Sequence, residues 1–180
     1  PKAWCDAEVI ALWKGKGSKA DPGNYRGIFL LDVAGKVLAR VISNRLTQLT
    51  EPILNDSQCG FRENRYTGYA IHGLRCVQHA ARMARSPLLA IFIDLEKAFD
   101  SPDRRAIWEC LKAAGCPPGM LRLIKCFHEN PELQVRGDSA WVRVLRGIRQ
   151  GCVLGPILFL VVFDRVLKCC KQAFPMVTFV

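Results

Sequence analysis

The stretch 88–100 constrains this chain more than any other part of its sequence. It begins with six consecutive apolar residues, Leu88–Ile93, which are rich in branched and aromatic side chains. Such a run predicts a short strand that is buried on both faces. Asp94 ends the run, and Asp100 follows after a short polar turn. A carboxylate at the end of a buried strand costs several kcal/mol unless a partner or a metal ion meets its charge.

Two interpretations of Asp94 are open on these residues alone. An aspartate at this position can cap the turn or helix that follows, as aspartate often does. Alternatively, hard oxygen ligands near a strand end in a basic protein suit Mg²⁺ that carries substrate phosphates. The capping preference of aspartate does not decide between a structural and a metal-binding carboxylate.

The composition favours one ordinary domain with a polyanionic partner. The chain has 180 residues, of which half are hydrophobic, so it can bury a real core and is not expected to be disordered. The net charge of +10 favours a polyanion but does not separate a nucleic acid from an acidic membrane surface. No apolar run approaches the roughly 20 residues that span a bilayer, and no signal peptide pattern is present. We predict an intracellular protein without a membrane-spanning segment, and no membrane among its partners.

The cysteines do not predict a metal site. All nine are scattered without a Cys-x-x-Cys pair, and the three histidines stand apart at positions 72, 79 and 128. Zinc sites need closely spaced ligands of these types, so a zinc site is poorly supported. Buried free thiols in a reducing compartment are the better interpretation.

The string Phe92–Ser101 reads Phe-Ile-Asp-Leu-Glu-Lys-Ala-Phe-Asp-Ser. It closely resembles the first catalytic motif of reverse transcriptases, in the form carried by non-LTR (LINE-type) retrotransposons. The resemblance implies that Asp94 is the catalytic carboxylate and binds both Mg²⁺ (or Mn²⁺) ions of a two-metal nucleotidyl transfer. It further implies that the backbone carbonyl of Leu95 completes one coordination shell. Phe99 would be a steric gate that rejects a 2′-hydroxyl, and for Asp100 we predict a structural hydrogen bond.

A second string, Arg146–Pro156, resembles the second reverse transcriptase motif almost residue for residue, with Gly155 where the family usually has serine. On its own, a short Gly-x-x-Gln-Gly sequence is an ordinary glycine-rich turn before a helix, although its glycines let the backbone approach a ligand closely. By the resemblance, Gln150 and Gly151 line the nucleotide pocket.

Basic residues near the amino terminus are candidates for binding phosphate. The glycine-rich loop 14–19 is either a solvated surface loop or a flexible basic finger over a phosphate path. Lys14 and Lys16 in this loop are weaker candidates for phosphate binding than Arg26, which follows it. A P-loop pattern is absent. Asn24–Ile28 resembles the fingers segment of the same family, although Gly27 replaces the usual proline. The resemblance implies that Arg26 holds the triphosphate of the incoming nucleotide.

The segment Gly60–Arg62 resembles the template-grip motif of this family, but the residues that follow depart from the usual Gly-Arg-Ser-Thr. Arg62 and Arg65 could contact template phosphates. A solvated basic start of a helix explains the same charges equally well. The departures concern the fit of the template backbone and leave the chemistry untouched.

Hydrophobic periodicity and capping signals predict the remaining elements. We expect a helix from Asp32 to about Leu49 with a buried apolar stripe, and strands in a hairpin around Gly137. The predicted stripe is Val37, Leu38, Val41, Ile42 and Leu49. The other predicted strands are Val9–Trp13, Phe29–Leu31, Glu132–Arg136 and Trp141–Leu145, and the other predicted helices are at about 66–85, 103–115, 118–130 and 156–171.

Together these features predict an α+β fold: an incomplete right-hand polymerase with helices packed on a small antiparallel palm sheet. Residues 1–87 would form a fingers-like region with the template grip, and residues 88–180 a partial palm. The family's third motif, which contains an Asp-Asp pair, and its thumb have no counterpart in the sequence. Both ends look cut from something longer. Because the second carboxylate motif and the thumb are missing, we expect the chain alone not to polymerise DNA.

The predicted function is that of an RNA-directed DNA polymerase fragment from a retrotransposon, whose partners are an RNA template, a DNA primer and deoxynucleoside triphosphates. Nucleus and cytoplasm both fit such a protein. The alternative is a remnant or domesticated module that binds nucleic acid without chemistry, because the same arginines serve both functions. An RNA-templated RNA polymerase is a distant third, since an aromatic gate at Phe99 disfavours ribonucleotides.

Overall fold

A four-stranded mixed sheet joins strands from both ends of the chain, in the order β2–β1–β3–β4. The computed structural model describes residues 1–149 and 151–175, and the elements below are those of this part of the chain. The strands are β1 (Ala7–Trp13), β2 (Tyr25–Leu30), β3 (Glu132–Val135) and β4 (Trp141–Arg143), and the helices are α1 (Val33–Thr50), α2 (Thr67–Met83), α3 (Arg104–Ala113), α4 (Pro118–Cys126) and α5 (Gly155–Ala173). The fold is α+β, as predicted.

The pairing of the strands differs from the predicted antiparallel sheet. β1 is antiparallel to β2, with Val9 opposite Phe29, and β3 is antiparallel to β4. The central pair is parallel, however, with Ala7 of β1 opposite Leu133 of β3. A parallel pair needs a long crossover connection, and here helices α1 to α4 lie between the two strands along the chain. The prediction of a purely antiparallel sheet was therefore wrong.

The stretch Leu88–Ile93 is not a strand in the structure. Its side chains are exposed, with Leu89 at 84% and Phe92 at 81% of their full accessible surface. A strand needs neighbours that satisfy its backbone donors and acceptors, and the four described strands pair only with one another. The predicted strand, buried on both faces, was wrong for this structure, and Asp94 at its end is exposed as well.

This exposed apolar stretch leads to a first prediction, about solubility. We expect Phe92→Ser to reduce self-association of the isolated chain, because runs of exposed apolar side chains promote contacts between molecules. The midpoint of thermal unfolding should change little, since the Phe92 ring is 81% exposed. Light scattering and thermal unfolding at matched concentration measure the two effects.

The control is Phe127→Ser, which removes a ring that is only 6% exposed. It should lower the unfolding midpoint strongly, because it empties part of the core. Unchanged light scattering in Phe92→Ser, or a large loss of thermal stability, would contradict the prediction.

The core lies between helices α1, α3, α4 and α5. Its fully buried side chains include Leu46 of α1, Ile107 and Leu111 of α3, Ile124 of α4 and Leu158 of α5. These side chains form one cluster, together with the residues that lead into α5. Burial of this apolar surface is the main stabilising contribution to the fold.

Helix α1 begins as predicted and buries part of the predicted stripe, since Ile42 is buried and Leu38 and Leu49 pack against the core. The Asp32 carboxylate accepts a hydrogen bond from the backbone N–H of Gly35 at 3.0 Å, which satisfies a donor at the start of the helix. Val37 and Val41 of the predicted stripe are 62% and 44% exposed, whereas Ala39 and Leu46 are buried. The prediction was wrong for these two valines. The buried face also contains small and polar residues, so hydrophobicity along the helix does not identify it.

Among the cysteines, which all lie in the described ranges and are free, Cys116 and Cys152 are buried, whereas Cys76, Cys126 and Cys169 are exposed. The prediction of buried thiols therefore holds only for a minority.

Within residues 1–149 and 151–175, no helix combines the length and the apolar character that crossing a membrane requires.

Candidate functional site

The two predicted catalytic motifs contact each other through their backbones. The N–H of Ile148 donates to the carbonyl oxygen of Phe99 at 2.7 Å, and the N–H of Gly147 donates to that of Pro102 at 3.0 Å. Gly147 has a φ of +81°, and a Cβ at this position would lie 2.6 Å from the carbonyl oxygen of Asp100. Only glycine lets the backbones approach this closely. The structure thus joins the turn after Asp94 to the loop before Gly151.

Gly151 brings the second motif against strand β2. Its φ is +92°, and a Cβ there would lie 2.8 Å from the carbonyl oxygen of Phe29. Arg26 lies on the same strand, and its side chain is exposed. Three of the predicted nucleotide-binding residues, Arg26, Phe99 and Gly151, are therefore carried by segments that meet. Gln150, the fourth, lies outside the described residues.

Phe99 is held in a row of aromatic rings. Its ring centroid lies 5.1 Å from that of Phe159 on α5, with the planes 29° apart. On another side the ring of Phe61 meets it in a T-shaped arrangement, at 6.1 Å and 86°. Both are favourable geometries for aromatic pairs. Phe99 is partly buried, so its ring is fixed by protein contacts and is not free in solvent.

The predicted metal ligands Asp94 and Leu95 are not surrounded by a cluster of further ligands in the described part of the chain. Asp94 is exposed, and no group of three or more His, Cys, Asp or Glu side chains in the described ranges could hold a metal ion. Mg²⁺ commonly binds one or two carboxylates together with waters and substrate phosphates. One carboxylate and the adjacent Leu95 carbonyl fit that share of a site, but the described residues do not form a complete two-metal centre.

Arg62 lies inside the protein. Only 3% of its side chain is exposed, and its Nη2 lies 2.6 Å from Oε1 of Glu51. The guanidinium also donates to the backbone carbonyl oxygens of Asn55 at 2.7 Å and Gln58 at 3.2 Å. The predicted contact with template phosphates depended on a surface position, which Arg62 does not have in this structure. Here it stabilises the loop 51–62.

The other predicted nucleic-acid contacts lie on the surface. Arg65, 35% exposed, donates to the backbone and side chain of Asp56 at 3.0 and 3.1 Å. Lys14 and Lys16 are exposed, and the Lys14 ammonium donates to the carbonyl oxygen of Gly23 at 2.8 Å. Hydrogen bonds of Asn24 also cross the basic loop, including one from its side chain to the Ser18 carbonyl at 2.9 Å. These contacts hold the basic loop against the turn at residues 23–24.

Sequence reasoning missed two arginines that hold the second motif in place. Arg104 of α3 donates to the carbonyl oxygens of His128 at 2.9 Å, Val144 at 3.0 Å and Gly147 at 3.2 Å. Arg149, 2% exposed, donates to the carbonyls of Cys5 and Phe127. Burial lowers the pKa of both guanidinium groups. In the sequence, Arg104 resembles an exposed charged residue at the start of a helix. Nothing in the sequence therefore indicates that its guanidinium binds backbone carbonyls of distant segments.

His128 is a third residue that the sequence did not single out. It is 2% exposed, its Nδ1 lies 2.9 Å from the carbonyl oxygen of Ile124, and its ring meets that of Trp108 at 5.7 Å. Because a carbonyl only accepts, Nδ1 carries the proton. Burial, with smaller contributions from the positive charges of Arg149 and Arg104, lowers the pKa of His128 to about 4. The imidazole is therefore neutral at pH 7.

Comparison with known proteins identifies relatives along nearly the whole chain. Residues 15–180 match the family described as reverse transcriptase (RNA-dependent DNA polymerase). The chain is 29% identical over 171 residues to the retrovirus-related Pol polyprotein from type-1 retrotransposable element R2 of Nasonia vitripennis, covering 93% of this chain and 16% of that protein.

Two Drosophila melanogaster proteins are also similar. The probable RNA-directed DNA polymerase from transposon BS is 33% identical over 174 residues, covering 94% of this chain and 19% of that protein. The RNA-directed DNA polymerase from mobile element jockey is 31% identical over 170 residues, covering 88% and 18%. The chain thus spans less than a fifth of the length of the curated relatives that it matches.

Proposed function

Because this chain belongs to the reverse transcriptase family and is a domain of the non-LTR retrotransposon type, we propose that it supplies the nucleotide-binding part of an RNA-directed DNA polymerase. Within a complete protein it would extend a DNA primer along an RNA template with deoxynucleoside triphosphates. The observation that carries this proposal is the backbone contact between the two motifs, from the Ile148 N–H to the Phe99 carbonyl oxygen at 2.7 Å.

The proposed roles follow from the positions of the side chains. Arg26, an exposed cation on β2, would bind the triphosphate, since guanidinium groups match phosphate oxygens. Phe99 would lie against the sugar, and Gly151 and Gln150 would line the pocket. Asp94 and the Leu95 carbonyl would be ligands of a divalent ion, Mg²⁺ or Mn²⁺, which neutralises phosphate charge when bound.

The exposed Lys14 and Lys16 and the half-buried Arg65 would contact the phosphates of the nucleic acid, a mode that gives affinity without sequence specificity. We propose that Arg62 acts indirectly by holding the loop 51–62. Residues 1–87 would form the fingers-like region and residues 88–180 the partial palm, with the sheet contributed by both. We propose that this chain does not polymerise DNA by itself, because its described residues include no group of three or more side chains that could hold a metal ion.

A second candidate is a non-catalytic module that binds nucleic acid. The net charge of +10 favours it, and so does the exposure of Asp94 outside any group of three or more potential metal ligands in the described part of the chain. Binding of this kind depends strongly on salt concentration, because it releases counterions from the nucleic acid.

Primer extension on an RNA template tests the proposal. The assay compares this chain with a version extended by about 150 downstream residues, roughly one further domain. We expect activity only in the extended protein, and we expect Asp94→Ala to abolish it. Glu96→Ala, which removes an exposed carboxylate from the same turn, should leave activity nearly unchanged.

The outcomes separate the two candidate functions. Activity lost in Asp94→Ala but kept in Glu96→Ala supports the polymerase. If neither length of the protein extends the primer but both retain salt-sensitive RNA binding, the result would favour the binding module. Extension by the isolated chain would contradict our expectation that it needs further residues.

A further inference from the structure

Phe61 occupies a position that ordinary folding forces do not explain. Its backbone φ is +58°, in the left-handed region that bulky side chains rarely adopt. Its ring is nevertheless 62% exposed, so the residue gains little burial in return for the strain. Strained residues persist only where the surrounding structure holds them, and they concentrate at functional sites.

The neighbouring Arg62 holds this strained backbone. Its buried guanidinium binds Glu51, at the end of α1, and the backbone carbonyls of Asn55 and Gln58. The backbone N–H of Asn55 in turn donates to Oδ1 of Asp164 on α5 at 2.8 Å. Asp164 is 5% exposed. Through these contacts the loop that carries Phe61 is attached to two core helices.

The ring of Phe61 is directed at Phe99. The two centroids lie 6.1 Å apart in a T-shaped geometry, and Phe159 stacks on Phe99 from α5 at 5.1 Å. Phe99 is therefore contacted by one ring from the core and by another from the strained loop. Phe159 packs against the core, so its contact with Phe99 would remain if Phe61 were removed. The ring of Phe99 would then lose only its contact with the loop.

We propose that Phe61 is a positioning residue for sugar selection. By restricting the movement of the Phe99 ring, it would make the pocket reject nucleotides that carry a 2′-hydroxyl. This inference rests on the proposed function, because it requires Phe99 to lie against the sugar. Selection between two substrates depends on the difference in their transition-state binding, so a looser ring should reduce the preference for deoxynucleotides more than the rate.

The experiment measures kcat/KM for a deoxynucleotide and its ribonucleotide in the extended polymerase. Phe61→Asn removes the ring but suits a positive φ, since asparagine tolerates this conformation. We expect the variant to unfold at the same or a higher temperature than the wild type. The preference for the deoxynucleotide should fall roughly 3- to 10-fold, the range expected for loss of one aromatic pair.

Three further variants complete the test. Phe61→Tyr keeps the ring and should retain the preference. Phe61→Leu keeps an apolar side chain without a ring and should show the same loss of preference for the deoxynucleotide as Phe61→Asn. It therefore tests the inference independently if Phe61→Asn does not fold. Tyr69→Ala is the matched control, because Tyr69 is 60% exposed and its ring contacts Tyr66 rather than Phe99. It should leave the preference unchanged.

The possible failures are distinguishable. An unchanged preference in folded Phe61→Asn or Phe61→Leu would overturn the inference alone, as would equal losses of kcat/KM for the two nucleotides. A wild-type extended protein that incorporates neither nucleotide would overturn the proposed function, and the inference with it.

Discussion

Gly147→Ala is expected to lower the free energy of unfolding by about 4 kcal/mol, counting backbone strain and lost hydrogen bonds. The φ of +81° disfavours any side chain, and the new Cβ would lie 2.6 Å from the carbonyl oxygen of Asp100. To relieve that contact, one backbone must move away from the other. The movement would break the hydrogen bonds from Gly147 to Pro102 and from Ile148 to Phe99.

Gly137→Ala isolates the contribution of the contact. Gly137 has a similar φ of +91°, but a Cβ there would meet nothing within 4 Å. This control should cost only about 1–2 kcal/mol, the conformational penalty alone. Denaturant unfolding of both variants measures the difference. Equal losses at the two positions would show that the close approach of the two motifs does not contribute to stability.

The second large effect is a loss of stability in mild acid caused by His128. In the unfolded chain this imidazole has an ordinary pKa of about 6.5, whereas burial lowers the pKa in the folded protein to about 4. The unfolded state therefore binds a proton first as the pH falls. The contribution of His128 to the free energy of unfolding is fully present above pH 6.5. It is lost as the pH falls to about 4, and the total loss is about 3 kcal/mol.

His128→Phe should remove this dependence on pH. Phenylalanine keeps an aromatic ring beside Trp108 but loses the hydrogen bond to Ile124, which should cost about 1 kcal/mol at pH 7. The variant should therefore be less stable than the wild type at pH 7 and more stable below about pH 5. The replaced ring also faces the guanidinium groups of Arg104 and Arg149, whose charges do not titrate in this range.

Denaturant unfolding between pH 4 and 7 measures the two stability curves. His79→Gln is the matched control, because His79 is exposed, and its curve should follow that of the wild type. Parallel curves for wild type and His128→Phe would show that His128 does not titrate with a lowered pKa.

Local signals in the sequence were sufficient for most elements of the fold. Asp32 and Asp103 precede α1 and α3 and cap them, and the strands around Gly137 form the predicted hairpin. Residues close in sequence determine capping and turns, so these features need no knowledge of distant parts of the chain. The resemblance to reverse transcriptases was confirmed by the family match over residues 15–180.

Contacts between distant residues decided what the sequence could not. Val37 is as apolar as Leu46, but only Leu46 faces the other core helices, since packing selects the buried face. Likewise, the charge of Arg62 predicted a surface contact, yet Glu51 and two backbone carbonyls bind it internally.

The sequence by itself therefore determined the family, the order of the motifs and the local elements, because these depend on neighbouring residues. Only the tertiary structure decided that β1 pairs parallel to β3, that the stretch 88–93 remains exposed, and that Phe61 meets Phe99. Each of these depends on which segments are available as partners, and a partner more than 30 residues away leaves no periodic signal in the chain.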